Sequence, residues 1–98
     1  WLTPTLGQPP VNLGHFIFTE GDDPIEMRRR MAEFSPFTFI TNSSGQPSAS
    51  IPLYWNDKGL PIGVHLAARY GDEATILRLS SQLEEARPWK DKRPPVSV

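Results

Sequence analysis

Two runs of alternating apolar and polar residues dominate the middle of the sequence. The first run occupies about 48–55 and the second about 61–69. Alternation with a period of two is typical of half-buried strands, and the segment from Asn56 to Gly59 between the runs has the composition of a tight turn. The pattern therefore predicts an antiparallel hairpin whose strands share an apolar face. Because Pro52 cannot donate a ladder hydrogen bond, we expect its strand to lie at a sheet edge.

Helical periodicity occurs on both sides of this hairpin. Asp23 suits an N-cap position, so we predict a helix over about 24–34, and Asp72 likewise precedes a helix over about 73–86. The apolar stripes are Met27, Met31 and Phe34 in the first helix, and Ile76, Leu79, Leu83 and Ala86, broadened by Leu77, in the second. We expect the helices to pack on the hairpin, which places the chain in the α/β fold class.

The remaining segments have weaker patterns. We interpret residues 1–5 as the end of a strand and residues 6–22 as an ordered loop with a short strand near 16–18. Pro36 ends the first helix, and a short helical turn follows over 37–41. The next residues, 42–47, are Asn, Ser, Ser, Gly, Gln and Pro, a composition that predicts a turn.

Composition narrows the classes of protein that fit. The chain has 98 residues, of which 11 are Pro and 7 are Gly, so its core is thin and fits a piece of a larger domain at least as well as an independent domain. A net charge of −1 excludes a field that attracts nucleic acid or an anionic membrane. Zero cysteines exclude disulfides, thiolate metal sites and a Cys nucleophile. No apolar run approaches the roughly 20 residues that span a bilayer, and no signal peptide is visible, so we expect a cytoplasmic protein.

Two groups of residues suggest a ligand site at first sight. Three adjacent arginines, 28–30, suggest anion binding, but successive helical side chains diverge by about 100° and a solvated helix face is the better interpretation. His15 and His65 lie far apart without a carboxylate cluster, so we expect no metal and no cofactor. For His65 we favour a structural hydrogen bond over catalysis.

Short islands of sequence recur in an order that resembles one enzyme family. They are Thr3-Pro4-Thr5, Phe37-Thr38, Asn42, Gly45-Gln46-Pro47, Ile51-Pro52, Gly59-Leu60-Pro61-Ile62-Gly63-Val64, Gly71-Asp72-Glu73, Leu83-Glu84 and Pro88-Trp89. Together they resemble the C-terminal end of the amidase signature family. The resemblance covers residues 1–89 as a single unit and leaves 90–98 as a polar tail that we expect to fray.

The resemblance implies a hydrolase of carbon–nitrogen bonds built on a large mixed sheet flanked by helices. In this family a Lys draws a proton through one Ser and so activates a second, nucleophilic Ser, while a glycine-rich loop supplies the oxyanion hole. All of these parts precede the Thr-Pro-Thr segment in the family. The Ser43-Ser44-Gly45 run matches the family's Asn-x-x-Gly-x-Pro turn instead, so we assign no catalytic residue to this chain.

Relatives also imply where this segment meets the substrate. The residues just before the Asn-x-x-Gly turn face the acyl side, which makes Ser35 and Phe39 the candidate pocket residues, four apart on one helical face if this turn is helical. A role for Phe39 in the core is equally consistent with the sequence. Amidotransferase-type relatives carry an Asp where this chain has Ser35, so the substrate is expected to be a small or medium amide that is not glutamine-like.

The sequence thus predicts the C-terminal portion of an amidase that is inactive alone. Its partners are the remainder of the amidase fold and, in the intact enzyme, a small amide substrate, with no nucleic acid and no membrane. A homodimer or a domain-swapped assembly is a further expectation, since an excised fragment exposes apolar surface. The alternative is a non-catalytic binding or interaction module derived from an amidase tail.

Overall fold

A computed structural model describes residues 1–96, so the last two residues of the predicted tail lie outside the described residues. Its elements are β1 (Leu2–Pro4), α1 (Pro24–Phe34), α2 (Thr38–Ser44), β2 (Ser48–Trp55), β3 (Pro61–Ala67) and α3 (Glu73–Ala86). The strands form an antiparallel sheet of three strands in the order β1-β3-β2. This arrangement of helices and sheet agrees with the predicted α/β fold class.

The predicted hairpin is formed by β2 and β3. Ser48 pairs with Ala67 at one end and Trp55 pairs with Pro61 at the other. β3 ends at Ala67, two residues earlier than predicted, because the ladder of β2 begins only at Ser48. The register shifts between Pro52 and Tyr54, as expected where proline removes a ladder hydrogen bond. Within residues 1–96, β2 is an edge strand, as its proline indicated.

The N-terminal segment forms the third strand. Leu2 pairs with Leu66 and Pro4 pairs with Val64, and the Trp1 nitrogen donates to the Ala67 carbonyl at 2.8 Å. The interpretation of residues 1–5 as part of a strand is therefore confirmed, and β3 becomes the central strand of the sheet.

The two faces of the sheet differ in chemistry. One face packs against α3 and forms the core, in which Ile51, Leu66 and Ile76 are buried. The opposite face carries short polar side chains together with His65, which is only 3% exposed. Leu77 of α3 is 69% exposed and does not broaden the buried stripe, which corrects that expectation.

The helices begin where their caps predicted. The Asp23 carboxylate accepts from the Ile25 N–H at 2.9 Å, and the Asp72 carboxylate accepts from the Thr75 N–H at 3.3 Å. α2 is longer than the predicted helical turn and continues through Ser44. Gly45 ends it with a left-handed φ of 71°, and its N–H donates to the Thr41 carbonyl. The segment over 42–44 is therefore helical, and the prediction of a turn there is wrong.

The long loop before α1 contains turns where a short strand was expected. The His15 N–H donates to the Asn12 carbonyl and the Ile17 N–H donates to the Gly14 carbonyl, so the chain bends through 12–17. The prediction of a strand near 16–18 is wrong. The Phe16 ring contacts the Phe34 ring edge to face at 5.0 Å, which holds the loop against α1. α1 contains no buried residue and contributes none to the core, whereas Ile76 of α3 packs with Ile51 and Leu66 of the hairpin. Of the two predicted helices, α3 is therefore the one that packs on the hairpin, which corrects the expectation for α1.

Candidate functional site

Ser35 and Phe39 lie at the junction between α1 and α2. Ser35 is the C-cap of α1, with φ −127° and ψ 64°, whereas Phe39 lies in the first turn of α2. The two residues therefore do not share one helical face, which corrects that geometric expectation. The Ser35 and Thr38 hydroxyls are hydrogen bonded at 2.8 Å, and this bond links the end of one helix to the start of the next.

The side chain of Phe39 is open to solvent in this chain. It is 70% exposed, and its neighbour Ile40 is 47% exposed. Phe39 therefore does not belong to the core that the described residues form among themselves, and its role in the pocket or in the core of the intact domain stays a prediction. The exposed Phe39 ring offers apolar contact and the half-buried Ser35 hydroxyl offers one hydrogen-bonding group, and both kinds of group occur in pocket walls.

Within the Ser-Ser-Gly run, the Ser44 side chain makes structural hydrogen bonds. The Ser44 hydroxyl donates to the Gln46 side-chain oxygen at 2.9 Å, and the Gln46 amide donates to the Ala68 carbonyl at 2.9 Å. These bonds fasten the end of α2 to the residue that follows β3. The run therefore acts as a helix terminus, and its assignment to the family's Asn-x-x-Gly-x-Pro motif stays a prediction.

The arginines of α1 are engaged in ion pairs along the helix surface. Arg29 and Arg30 both donate to the Glu26 carboxylate, at 2.8 Å and 3.0 Å, and Arg29 also pairs with Glu33. Hydrogen bonds from Arg29 and then Arg30 lower the pKa of Glu26 to about 2. Two of the three arginines therefore have carboxylate partners within the helix, which supports the interpretation as a solvated face.

A cross-strand polar network on the face opposite α3 was not predicted in detail. The Thr3 hydroxyl lies 3.3 Å from Nδ1 of His65, and the Thr5 hydroxyl is hydrogen bonded to the Ser50 hydroxyl at 2.6 Å. The Thr5–Ser50 bond passes over Gly63 of the central strand, where a Cβ atom would meet both hydroxyls. In the sequence, Gly63 could have predicted this feature, because a glycine inside a strand often marks a site that other groups approach closely.

His65 is buried without a partner at one ring nitrogen. Its Nε2 has no hydrogen-bond partner in the described structure, and the Trp1 ring lies edge-on to the imidazole at 6.2 Å. Burial lowers the pKa of His65, because the imidazolium ion would lose its hydration. These contacts suit a neutral structural histidine. Across residues 1–96, no group of three or more His, Asp or Glu side chains is arranged to hold a metal ion.

Known proteins resemble this chain over nearly all of its length. The family model described as Amidase matches residues 1–77. The AmiC protein of Mycobacterium leprae is 35% identical over 88 residues, which are 90% of this chain and 18% of that protein. The 6-aminohexanoate-cyclic-dimer hydrolase of Paenarthrobacter ureafaciens is 35% identical, over 95% of this chain and 20% of the hydrolase. A solved structure of 6-aminohexanoate cyclic dimer hydrolase superposes with a TM-score of 0.86 at 34% identity, over 96% of this chain and 20% of that one.

The chain belongs to the amidase family, since the family model matches more than half of it. It corresponds to a C-terminal fragment of an amidase signature enzyme, and it spans about a fifth of the length of the cyclic-dimer hydrolase. The family resemblance and the α/β fold predicted from the sequence are thereby confirmed. In residues 1–96, no helix combines the length and the hydropathy that a membrane crossing requires.

Proposed function

We propose that this chain is the C-terminal part of an enzyme that hydrolyses amide bonds and that it forms one wall of the substrate pocket. The observation that carries the proposal is the superposition on the cyclic dimer hydrolase, which extends over 96% of this chain. The nucleophilic Ser, the second Ser and the Lys that the family resemblance implies belong to the part of the enzyme that precedes Trp1. The chain alone is therefore inactive.

The wall that this chain offers suits an uncharged, largely apolar amide. Phe39 supplies an exposed aromatic surface, and Ser35 supplies a hydroxyl in place of the carboxylate that holds the ammonium group of a glutamine-like substrate. The name of the cyclic-dimer hydrolase is consistent with this class, since a cyclic dimer joined by amide bonds has no free ammonium group. The substrate in this proposal is a small or medium amide that is not glutamine-like.

The rest of the proposal concerns partners and organisation. The remainder of the amidase fold is the obligatory partner, residues 1–89 form one unit with it, and residues 90–98 form a tail. A cytoplasmic location follows the expectation from the sequence. Homodimers or domain-swapped assemblies of the isolated chain belong to the same proposal, because exposed apolar surface favours self-association when the partner is missing.

Substitutions in the full-length enzyme test the pocket wall. Phe39→Ala should raise KM for an apolar amide by about tenfold, since removing a buried aromatic contact costs on the order of 1–3 kcal/mol. Ile40→Ala is the matched control, because Ile40 is the next residue of the same helix and points about 100° away. If both substitutions raise KM equally, Phe39 does not line the pocket.

The charge preference of the pocket is tested at Ser35. Ser35→Asp should improve kcat/KM for substrates that carry an ammonium group and reduce it for neutral amides of the same size, because the new carboxylate attracts a nearby cation. Ser35→Asn is the control, because asparagine has nearly the same size as aspartate but no charge. Comparing the two variants separates the effect of the charge from the effect of side-chain volume. If the Asp and Asn variants give the same ratio of kcat/KM for the ammonium-carrying substrate to kcat/KM for the neutral amide, Ser35 does not face the substrate.

The alternative of a non-catalytic module makes a different prediction. An independent module remains a monomer with one cooperative unfolding transition when purified as 98 residues. The fragment in the present proposal instead aggregates or forms dimers under the same conditions. Light scattering and calorimetry on the purified chain separate the two.

A further inference from the structure

The Ser35 hydroxyl is hydrogen bonded to a side chain rather than to a helix terminus. A serine just before a helix commonly caps that helix by accepting a hydrogen bond from a backbone N–H of the first turn. Here Phe37 occupies the N-cap position of α2 without a side-chain hydrogen bond, and Ser35 Oγ lies 2.8 Å from the Thr38 hydroxyl. The Ser35–Thr38 bond therefore does not cap α2, and its direct effect is to orient the Ser35 hydroxyl.

Thr38 is held firmly by its contacts within α2. It begins the helix, and its carbonyl oxygen accepts from the Thr41 hydroxyl at 3.0 Å. Thr41 is 4% exposed, and its hydroxyl accepts from the Ser48 hydroxyl at the start of β2 at 3.3 Å. Threonine is also β-branched, which restricts its χ1 rotamers in a helix. These contacts fix Thr38 relative to the sheet.

The side chain of Ser35 depends on this bond for its direction. Its backbone lies outside both helices, with φ −127° and ψ 64°, and a serine side chain has three staggered rotamers. A hydrogen bond to a fixed partner selects one of them. Because a hydroxyl donates one hydrogen bond and accepts up to two, Ser35 Oγ keeps the capacity for a further hydrogen bond after it has bonded to Thr38.

The remaining hydrogen bond of Ser35 suits an uncharged partner. Neither hydroxyl carries a charge, and either of the two oxygens can be the donor. Ser35 can therefore accept a further bond when it donates to Thr38, and it can donate one when Thr38 donates to it. A secondary amide, with one N–H and one C=O, pairs with both arrangements.

We propose that Thr38 is a positioning residue of the substrate pocket. It aims the Ser35 hydroxyl at a second, uncharged amide group in the acyl part of the substrate. This inference rests on the proposed function, in which Ser35 faces the substrate. Without the Thr38 hydroxyl, the Ser35 rotamer is fixed only when the substrate binds, and the cost of this ordering weakens binding.

A purely structural role is the competing interpretation. The Ser35–Thr38 bond also joins the end of α1 to the start of α2, so its loss lowers the stability of this junction in either case. A structural bond affects two substrates of equal shape equally, whereas an aimed hydroxyl affects only the substrate that can bond to it. The preference between two such substrates therefore distinguishes the roles.

Two anilides of nearly equal shape are the probes for the full-length protein. Acetylglycine anilide carries a second amide in its acyl part, whereas isocaproic acid anilide has carbon atoms in place of the nitrogen and oxygen of that amide. The measured quantity is kcat/KM for the acetylglycine anilide divided by kcat/KM for the isocaproic acid anilide. Comparing this ratio between variants cancels the difference in hydrophobicity between the probes.

Thr38→Val removes the hydroxyl but keeps the branched shape, so the ratio should fall by about fivefold, which corresponds to one hydrogen bond. Thr38→Ala should give the same fall, whereas Thr38→Ser, which retains the hydroxyl, should stay within about twofold of the parent. Ser44→Ala is the matched control, since it removes a hydroxyl that is bonded to Gln46 at the other end of α2. It should leave the ratio unchanged.

A double-variant cycle shows whether Thr38 acts through Ser35. In a Ser35→Ala background, Thr38→Val should change the ratio by less than about twofold, because the hydroxyl that it orients is absent. The inference is overturned if Thr38→Val leaves the ratio unchanged, if Ser44→Ala lowers it equally, or if the full fall persists in the Ser35→Ala background.

Calorimetric binding of both anilides to the same variants keeps the two proposals separate. A full-length protein that hydrolyses amides with the same ratio in the parent and in Thr38→Val refutes the positioning role and leaves the proposed function standing. If the protein hydrolyses no amide, but its binding preference for acetylglycine anilide falls in Thr38→Val and not in Ser44→Ala, the proposed function fails and the positioning role stands. Binding of neither anilide overturns the positioning role.

Discussion

Gly63→Ala is the substitution whose effect can be predicted most specifically from the structure. Replacing the glycine with alanine places a Cβ atom against the Ser50 hydroxyl and 2.6 Å from the Thr5 hydroxyl, with Thr5 Cβ at 3.2 Å. The two hydroxyls are hydrogen bonded to each other across the glycine at 2.6 Å. The added methyl group therefore forces them apart and breaks this bond between the two outer strands.

The magnitude follows from three contributions. Overpacking by one methyl group costs about 1–3 kcal/mol, and the lower half applies because each hydroxyl can rotate away. Loss of the Thr5–Ser50 hydrogen bond adds about 1 kcal/mol. Reduced freedom of the unfolded chain offsets about 0.4–1 kcal/mol when Gly becomes Ala. The sum is a net destabilisation of about 1–2.5 kcal/mol for Gly63→Ala.

Hydrogen exchange of the β1 and β3 amides in the full-length protein provides the assay. Gly63→Ala should accelerate exchange there by about tenfold, since 1.4 kcal/mol corresponds to a factor of ten. The same substitution in a Thr5→Ala, Ser50→Ala background should accelerate it by less than about threefold, because both hydroxyls are gone. An equal effect in both backgrounds would refute the reasoning.

Three further predictions concern titration and packing. Burial lowers the folded-state pKa of His65 below 6.5, so its stabilising contribution is complete above pH 6.5 and is lost as pH falls toward the folded pKa. His65→Gln should abolish this pH dependence of the free energy of unfolding, measured by urea titrations between pH 5 and about 7. If the pH dependence is retained in the variant, His65 is not its source. Arg29→Ala should raise the pKa of Glu26 from about 2 toward its ordinary value in carbon NMR titrations, whereas Arg28→Ala should leave it unchanged, and equal shifts would contradict the ion-pair assignment. Leu66→Ala should cost about 2–5 kcal/mol in urea unfolding, and a cost below about 1 kcal/mol would show that Leu66 is not in the core.

Local signals in the sequence predicted most of the fold. The capping residues Asp23 and Asp72 begin α1 and α3, and period-two alternation locates β2 and β3. Pro52 correctly indicated an edge strand within residues 1–96, since its missing N–H removes a hydrogen bond to a directly neighbouring strand. These features depend on interactions between residues close together in the chain, which a sequence pattern records directly.

Features that depend on distant contacts were missed or misplaced. The Thr3–His65 bond joins residues 62 positions apart, and only the register of β1 on β3 brings them together. α2 extends to Ser44 because Gly45 adopts a left-handed cap and the Ser48 hydroxyl donates to that of Thr41 from the following strand. The apolar residues over 16–18 have strand propensity, but the turns around Gly14 leave them no strand to pair with.

The candidate site was predicted only in part. The sequence identified Ser35 and Phe39 through the family resemblance, and their role in the pocket stays a prediction. Their placement, Ser35 at the C-cap of α1 and Phe39 within α2, was not predicted, because the chain bends over 35–37 between the two helices. That neither Ser43 nor Ser44 is catalytic likewise stays a prediction.

Amide hydrolysis, compared between the purified 98-residue chain and the full-length protein that contains it, tests the central claim most directly. We expect no turnover by the chain alone, and we expect turnover by the full-length protein that persists when Ser43→Ala and Ser44→Ala are introduced together. Hydrolysis of an amide by the 98-residue chain, lost on substitution of Ser43 or Ser44, would place the catalytic residues in this segment and contradict the account.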